Sequence, residues 1–558
     1  MAELTIVFRL RFAVALGAAM LLFMAATARE AWGAEYIVQM HPGSDPSEGA
    51  ALVEGLGGKV TSPELGVING FGASLDSAGA ARLSANPGVR SVSPNGGVMT
   101  SSHRSDEDRS GGYRCPRSDS TTRDSRRYRS NRGRRSDLSP LAALSRLEQP
   151  LQHSVTADEA WRRSTGDGVG VAVIDTGIAG DLPDFRDSDS RYGASRVIAS
   201  AVTNPCASDA NDHFGHGTHV AGLIAGNSLH QTDRDRGNYM GIAPDANLIS
   251  VKTADDDGNT TVLDVIYGIQ FAVEHKDDLG IRVINLSLSS TVPESYLTDP
   301  LNAAVESAWF GGLVVVAAAG NAGTRGDAVS FAPGNDPYVI TAGSTDDRGT
   351  WRNTDDVLAP WSSRGVTQDG VQKPEVLAPG ARLVAALAPN SDFSRICRTC
   401  VVDRNYFRVS GTSMSTAVVS GVVALMLEEH PDWTPDEVKG ALVSTLQDVP
   451  GAGATVDAAA ALNGSGVANE GLVPNTLVSP ETGLIDWTRA SFRRASFRDA
   501  SGSRYGASWS RASFRCDCSL MFGSGDNSGR GNGHDDDVDP SRSSFRAAGF
   551  HRTTDIVE

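Results

Sequence analysis

Three short segments of this chain carry side chains able to do nucleophilic chemistry together. Val173-Ile174-Asp175-Thr176-Gly177 sets an acid at the end of an apolar run. Gly215-His216-Gly217-Thr218-His219-Val220-Ala221-Gly222 opens an apolar helical pattern with a histidine, and Gly411-Thr412-Ser413-Met414-Ser415 opens another with a serine. A serine hydroxyl attacks only when a base removes its proton, and neutral imidazole is that base near neutral pH. A carboxylate then holds the imidazole tautomer and stabilises the imidazolium. A serine at a helix N-terminus gains free backbone N–H groups beside a developing oxyanion. Each motif alone is weak. Together, in the order Asp–His–Ser with glycines alongside, they point to acyl transfer. The order differs from the Ser–Asp–His of α/β-hydrolases, and position 415 is Ser where their elbow has Gly. The chain has no His-Glu-x-x-His, which argues against a zinc protease.

Such residues meet only if the fold brings distant segments together. The runs 169–174, 248–251, 281–288, 313–319 and 338–342 are almost continuously apolar, as strands covered on both faces of a parallel sheet are. Val262, Val265, Ile266, Ile269 and Val273 fall on one face of a helix between two of them. Alternating strands and helices predict an α/β fold with a mostly parallel central sheet, whose strand ends gather the site.

With these motifs in hand, residues 154–464 resemble the subtilisin-like serine proteases (subtilases). The resemblance implies Asp175 as orienting acid, His216 as general base and then acid, and Ser413 as nucleophile of a serine endopeptidase. Ala318-Ala319-Gly320-Asn321 resembles the segment whose Asn donates to the oxyanion. Ser287-Leu288-Ser289 and Gly258-Asn259-Thr260 resemble the two edges that pair with an extended substrate, with Gly320 lining the same cleft. Two residues depart from the family pattern: Ser289 stands where Gly is usual, and Ala417 where Pro is usual, which predicts altered packing of the first turn after Ser413. Asp184 resembles a structural calcium ligand, although calcium takes about six to eight oxygens and no full set is legible. The chemistry needs no cofactor. The implied partners are protein or peptide substrates and the chain's own propeptide as intramolecular inhibitor, with the enzyme a monomer. The rival reading is a catalytically weak subtilase-fold binding or processing partner.

The 558 residues are 40% hydrophobic and 21% charged, with 50 basic against 67 acidic residues and a net charge of −17. That is globular composition and a poor match to nucleic acid. Arg9 and Arg11, an apolar run 12–26 and Ala26-Thr27-Ala28 read as a secretory signal peptide within 1–33, implying export. Residues 35–98 read as a small α+β domain resembling the inhibitory propeptide of subtilases. Residues 100–150 are a Ser/Arg-rich linker in which processing should fall. Residues 475–558 form a low-complexity tail with repeated Arg-Ala-Ser-Phe-Arg. For an exported chain, Cys397-x-x-Cys400 reads as a local disulfide.

Overall fold

The computed structural model describes residues 34–41, 44–62, 64–100, 139–187, 194–228, 236–476 and 478, with the backbone of 495–498 and 504–508. The expected signal peptide, the Arg-rich heart of the linker and nearly all of the repeat tail lie outside the described residues.

Ten strands form the main sheet. Its centre is parallel: Val314–Ala318, Ile281–Leu286, Gly170–Asp175, Asn247–Lys252 and Val197–Val202 lie side by side in that order. Ile340–Asp346 and Val376–Pro379 extend it on the other side, still parallel. A hairpin, Gln447–Val449 with Gly453–Thr455, ends it antiparallel. Gly170–Asp175 and Val314–Ala318 are buried at every position, which is why their sequences show no alternation. Helix Val262–Glu274 buries Val265, Ile266 and Ile269 on the predicted face. It opens with a capping box in which the Thr261 side chain and Asp264 satisfy each other's backbone N–H groups.

Helix Thr412–Glu429 is buried from 412 through 427 and runs through the core, so it is apolar all round rather than amphipathic. Ala417 is fully buried and the helix is continuous through it.

The N-terminal unit is a four-stranded antiparallel sheet of Ala34–Met40, Lys59–Val60, Gly70–Leu75 and Val89–Pro94, with helices Pro46–Gly55 and Ser77–Ser84. Val38, Met40, Val53, Phe71 and Leu83 make its own small core. Ile37, Leu65, Val67 and Ile68 instead join the large core, so the two units share an apolar contact. The folded body extends beyond the predicted boundaries at both ends. Ala143 and Leu151 of the expected linker region are fully buried. Asn475 is also buried, its amide bonded to the Tyr296 and Asp299 carbonyls at 2.5 and 3.1 Å.

Candidate active site

Asp175 ends a central strand at its carboxyl edge. Its Oδ1 accepts from the Thr176 N–H at 2.7 Å and lies 2.7 Å from His216 Nδ1. With Nδ1–H donated to the carboxylate, the proton-free nitrogen of a neutral ring is Nε2. His216 is fully buried, and among the described residues its Nε2 has no hydrogen-bond partner. A buried acceptor without a donor is costly unless the site uses it, and here it is the atom a general base requires.

The start of the His216 helix is held by residues the sequence reading did not single out. Asp212 accepts from the Gly215 N–H at 2.7 Å, the Thr218 N–H at 2.8 Å and the Thr176 hydroxyl at 2.9 Å. Burial pushes the Asp212 carboxyl above its ordinary range against those bonds. Thr176 Oγ1 also accepts from the Gly217 N–H at 2.9 Å, so one hydroxyl ties the acid's neighbour to the base's neighbour. A Cβ at Gly217 would strike the Gly177 carbonyl and stand 3.2 Å from Asp175, so glycine is required for this approach. One turn on, His219 Nε2 lies 2.9 Å from the Phe407 carbonyl. Burial drives the His219 pKa down to about 3, which keeps it a neutral donor.

Ser413 occupies the first turn of its helix and is fully buried. Its hydroxyl donates to the Ser287 carbonyl at 2.9 Å, and the Ser287 hydroxyl donates back to the Ser413 carbonyl at 2.9 Å. The Asp175–His216 pair is therefore assembled, while the Ser413 proton points to Ser287 rather than to the imidazole. Asn321 Oδ1 accepts from the Thr412 N–H at 3.0 Å and hydroxyl at 3.2 Å, fixing its amide against the residue before Ser413. The amide's NH₂ is then the end that donates. Gly320, at φ +97°, donates its N–H to the same Thr412 hydroxyl at 3.2 Å.

The two expected edges are present, and a strand fills the space between them. Gly97–Thr100 pairs antiparallel with Leu288–Ser290 on one side and with Thr260–Thr261 on the other. Leu288 is in register with Thr100 and Ser289 with Met99. The Ser289 hydroxyl turns back to the Ser290 carbonyl at 3.3 Å. On the opposite edge the pairing residues are Thr260 and Thr261. Gly258 lies just before them, at φ +86°, where a Cβ would meet the Phe214 ring at 2.7 Å. Further bonds anchor the inserted strand: Val262 N–H to the Gly96 carbonyl at 3.0 Å, Thr291 N–H to the Gly97 carbonyl at 3.1 Å, and Leu263 N–H to Asn95 Oδ1 at 3.2 Å.

Asp184 is not built into a calcium site. Its Oδ1 accepts from the Tyr406 hydroxyl at 2.8 Å, and its backbone carbonyl accepts from Arg196 at 2.9 Å. Arg196 is buried and also bonds the Ala246 and Ala225 carbonyls at 2.8 and 2.6 Å, so a guanidinium already gathers the oxygens at this place. Desolvation lowers its pKa to about 10, which leaves it a cation. Among the described residues no group of three or more His, Cys, Asp or Glu is placed to hold a metal. Among the described residues, those around Asp184 do not assemble a calcium site. Cys397 and Cys400 form the expected disulfide.

A parallel α/β sheet with an Asp–His pair at its carboxyl edge and a serine opening the central helix defines a subtilisin-like protein. The Subtilase family model matches residues 166–466, and the chain belongs to that family. It is 39% identical over 280 residues to the serine protease AprX of Bacillus subtilis (strain 168), covering 49% of this chain and 60% of that protein. It is 34% identical over 305 residues to subtilisin E of the same strain, covering 54% and 65%. Against a subtilisin of Bacillus pumilus the identity is 33% over 305 residues, covering 54% and 90%. The chain thus spans 60% and 65% of the length of the first two relatives. In fold it is similar to fervidolysin from Fervidobacterium pennivorans, described as a keratinolytic enzyme related to subtilisin. The TM-score is 0.55 at 24% identity, covering 85% of this chain and 64% of that one.

Proposed function

We propose that this chain is an exported serine endopeptidase, made as a zymogen, that cleaves extended protein segments through an acyl-enzyme. The observation that carries the reading is the buried Asp175–His216 bond, which leaves Nε2 without a partner, set in the same fold as a serine at a helix start. In the reaction Ser413 Oγ attacks the substrate carbonyl and passes its proton to His216 Nε2, while Asp175 holds the imidazolium. The oxyanion draws on the Asn321 amide and on backbone N–H groups of the first helical turn. His216 then protonates the leaving amine, and water completes hydrolysis by the same base.

The paired strand Gly97–Thr100 supports both the substrate class and the zymogen. Main-chain ladders on two edges bind an extended chain with little demand on its side chains. Occupied by the protein's own segment, they exclude a substrate. The N-terminal unit is on this reading an intramolecular inhibitor. Carried on by one residue, the ladder from Thr100–Leu288 reaches Ser287, whose carbonyl holds the Ser413 hydroxyl. Processing therefore falls close to Ser101. The mature enzyme acts as a monomer on protein substrates, without nucleic acid and without a cofactor in the chemistry.

The test compares the full chain with Ser413→Ala, following release of the N-terminal unit on a gel and hydrolysis of denatured casein. The wild type is expected to do both and the variant neither. An intact, inert wild type would favour a subtilase-fold binding partner, and cleavage that survives Ser413→Ala would remove the nucleophile assignment.

A further inference from the structure

The Asp175 bond constrains His216 at one ring nitrogen only, and the structure adds a second constraint from an unexpected direction. Residues 391–409 form a strap over the start of the His216 helix. Asp392 and Phe393 donate their N–H groups to the His213 and Phe214 carbonyls at 3.0 and 3.1 Å. Gly215, at φ +107°, leaves no room for a side chain between the helix start and the strap, since a Cβ would meet Ser391 Oγ at 2.8 Å and Phe393 Cβ at 3.0 Å. Only glycine suits both the conformation and the gap. The buried Phe393 ring stands edge-on to the His216 ring, with centroids 6.2 Å apart and planes at 87°. Phe214 and Phe407 hold Phe393 in turn, at centroid separations of 5.5 and 4.9 Å.

The far side of the strap carries a four-residue covalent loop. Cys397 and Cys400 are bonded to each other and pack against the Phe214, Leu387, Phe393 and Phe407 cluster. The Cys397 N–H donates to the Phe393 carbonyl at 3.3 Å, so the disulfide is joined directly to the residue that meets the imidazole. Phe407, at the strap's return, accepts the His219 bond from the same helix. The strap is therefore pinned to the His216 helix before the histidine, at its ring and one turn beyond it.

Resting on the protease reading above, we propose that Phe393 is a positioning residue that fixes the His216 imidazole, and that the Cys397–Cys400 disulfide locks the strap presenting it. Truncating Phe393 leaves empty space beside the ring, and a base displaced by about an ångström loses up to about a hundredfold in rate. The disulfide is half-exposed and open to a dithiol. On reduction the S–S bond breaks, two electrons and two protons from the reductant give two thiols, and the dithiol closes to its own disulfide.

The test measures kcat and KM of the processed enzyme on a peptide substrate, with rates normalised to titratable active serine so that unfolded protein is not counted. Wild-type hydrolysis measured alongside separates this test from that of the protease reading. Phe393→Ala should lower kcat per active site by about ten- to a hundredfold with KM nearly unchanged, and Phe393→Leu, which keeps an apolar contact, should regain most of it. Dithiol treatment of the folded wild type should lower kcat, and should do nothing further to the Cys397→Ser/Cys400→Ser double variant. An unchanged kcat in Phe393→Ala, or a loss confined to KM, would overturn the positioning role. A dithiol effect of equal size in the double variant would overturn the lock.

Discussion

Replacing Thr176 by Val tests how the acid and the base are held together. The two side chains have nearly the same shape, so no cavity opens and the change is the hydroxyl alone. That hydroxyl donates to Asp212 at 2.9 Å and accepts from the Gly217 N–H at 2.9 Å, and Thr176 is almost wholly buried. A hydrogen bond to a charged group contributes about 1.5–3 kcal/mol, and a buried N–H left without an acceptor costs about 1–3 kcal/mol. The sum is a loss of about 2.5–6 kcal/mol. It should shrink in acid, because burial already raises the Asp212 carboxyl and the protonated form suffers less from a lost donor. Denaturant unfolding in a Ser413→Ala background, which prevents autolysis, reads the stability directly. In the active background kcat should fall with it, since Thr176 adjoins Asp175 and Gly217 adjoins His216. A stability change below about 0.5 kcal/mol, within the range of an ordinary surface substitution, together with unchanged turnover would refute the argument.

Three further outcomes follow. Asn321→Ala should reduce kcat by about 10²–10³ with little change in KM, as steady-state kinetics would show, because one oxyanion donor is lost. N-terminal sequencing of the processed enzyme should place the first cut within residues 100–103, and Ser413→Ala should remain uncut. Asp299 caps helix Pro300–Phe310 through the Leu301 and Asn302 N–H groups at 2.7 and 3.0 Å, yet burial and then Glu294 raise its pKa from 3.8 to about 7. Its stabilising contribution is complete below the unfolded value and is lost as pH rises through about 7, since the folded state binds the extra proton. Asp299→Asn, which keeps the cap, should therefore gain on the wild type in unfolding midpoint as pH rises from about 4 to about 7, and no further above that.

Much of the site was legible because its residues sit in short local patterns. The runs 169–174 and 313–319 lack polar breaks because both faces of their strands are covered, so they mark strands at Gly170–Asp175 and Val314–Ala318. Asp175 follows the first as its last residue, and His216 between two glycines and Ser413 two residues after Gly411 announce helix starts. What was not legible is long-range and depends on contacts no local pattern encodes. Asp212 becomes important only when the fold carries Thr176 to it, 36 residues away in sequence. Phe393 reads as an ordinary apolar residue until it meets His216. Of the expected edge Gly258-Asn259-Thr260 the strand ladder takes Thr260 and runs on to Thr261, because main-chain pairing depends on register and leaves no mark on residue type. Spacing alone also cannot show that Arg196, 12 residues on, turns back to the Asp184 carbonyl.

On the proposed mechanism His216 activates Ser413. The most direct test treats the wild type and His216→Ala, both cut by an added protease at a site placed after Thr100 so that neither depends on its own processing, with a fluorophosphonate and maps the adduct by mass spectrometry. One label on Ser413, formed rapidly in the wild type and abolished in His216→Ala, is the predicted result. Labelling at another residue, or labelling of Ser413 at the same rate without the imidazole, would contradict it.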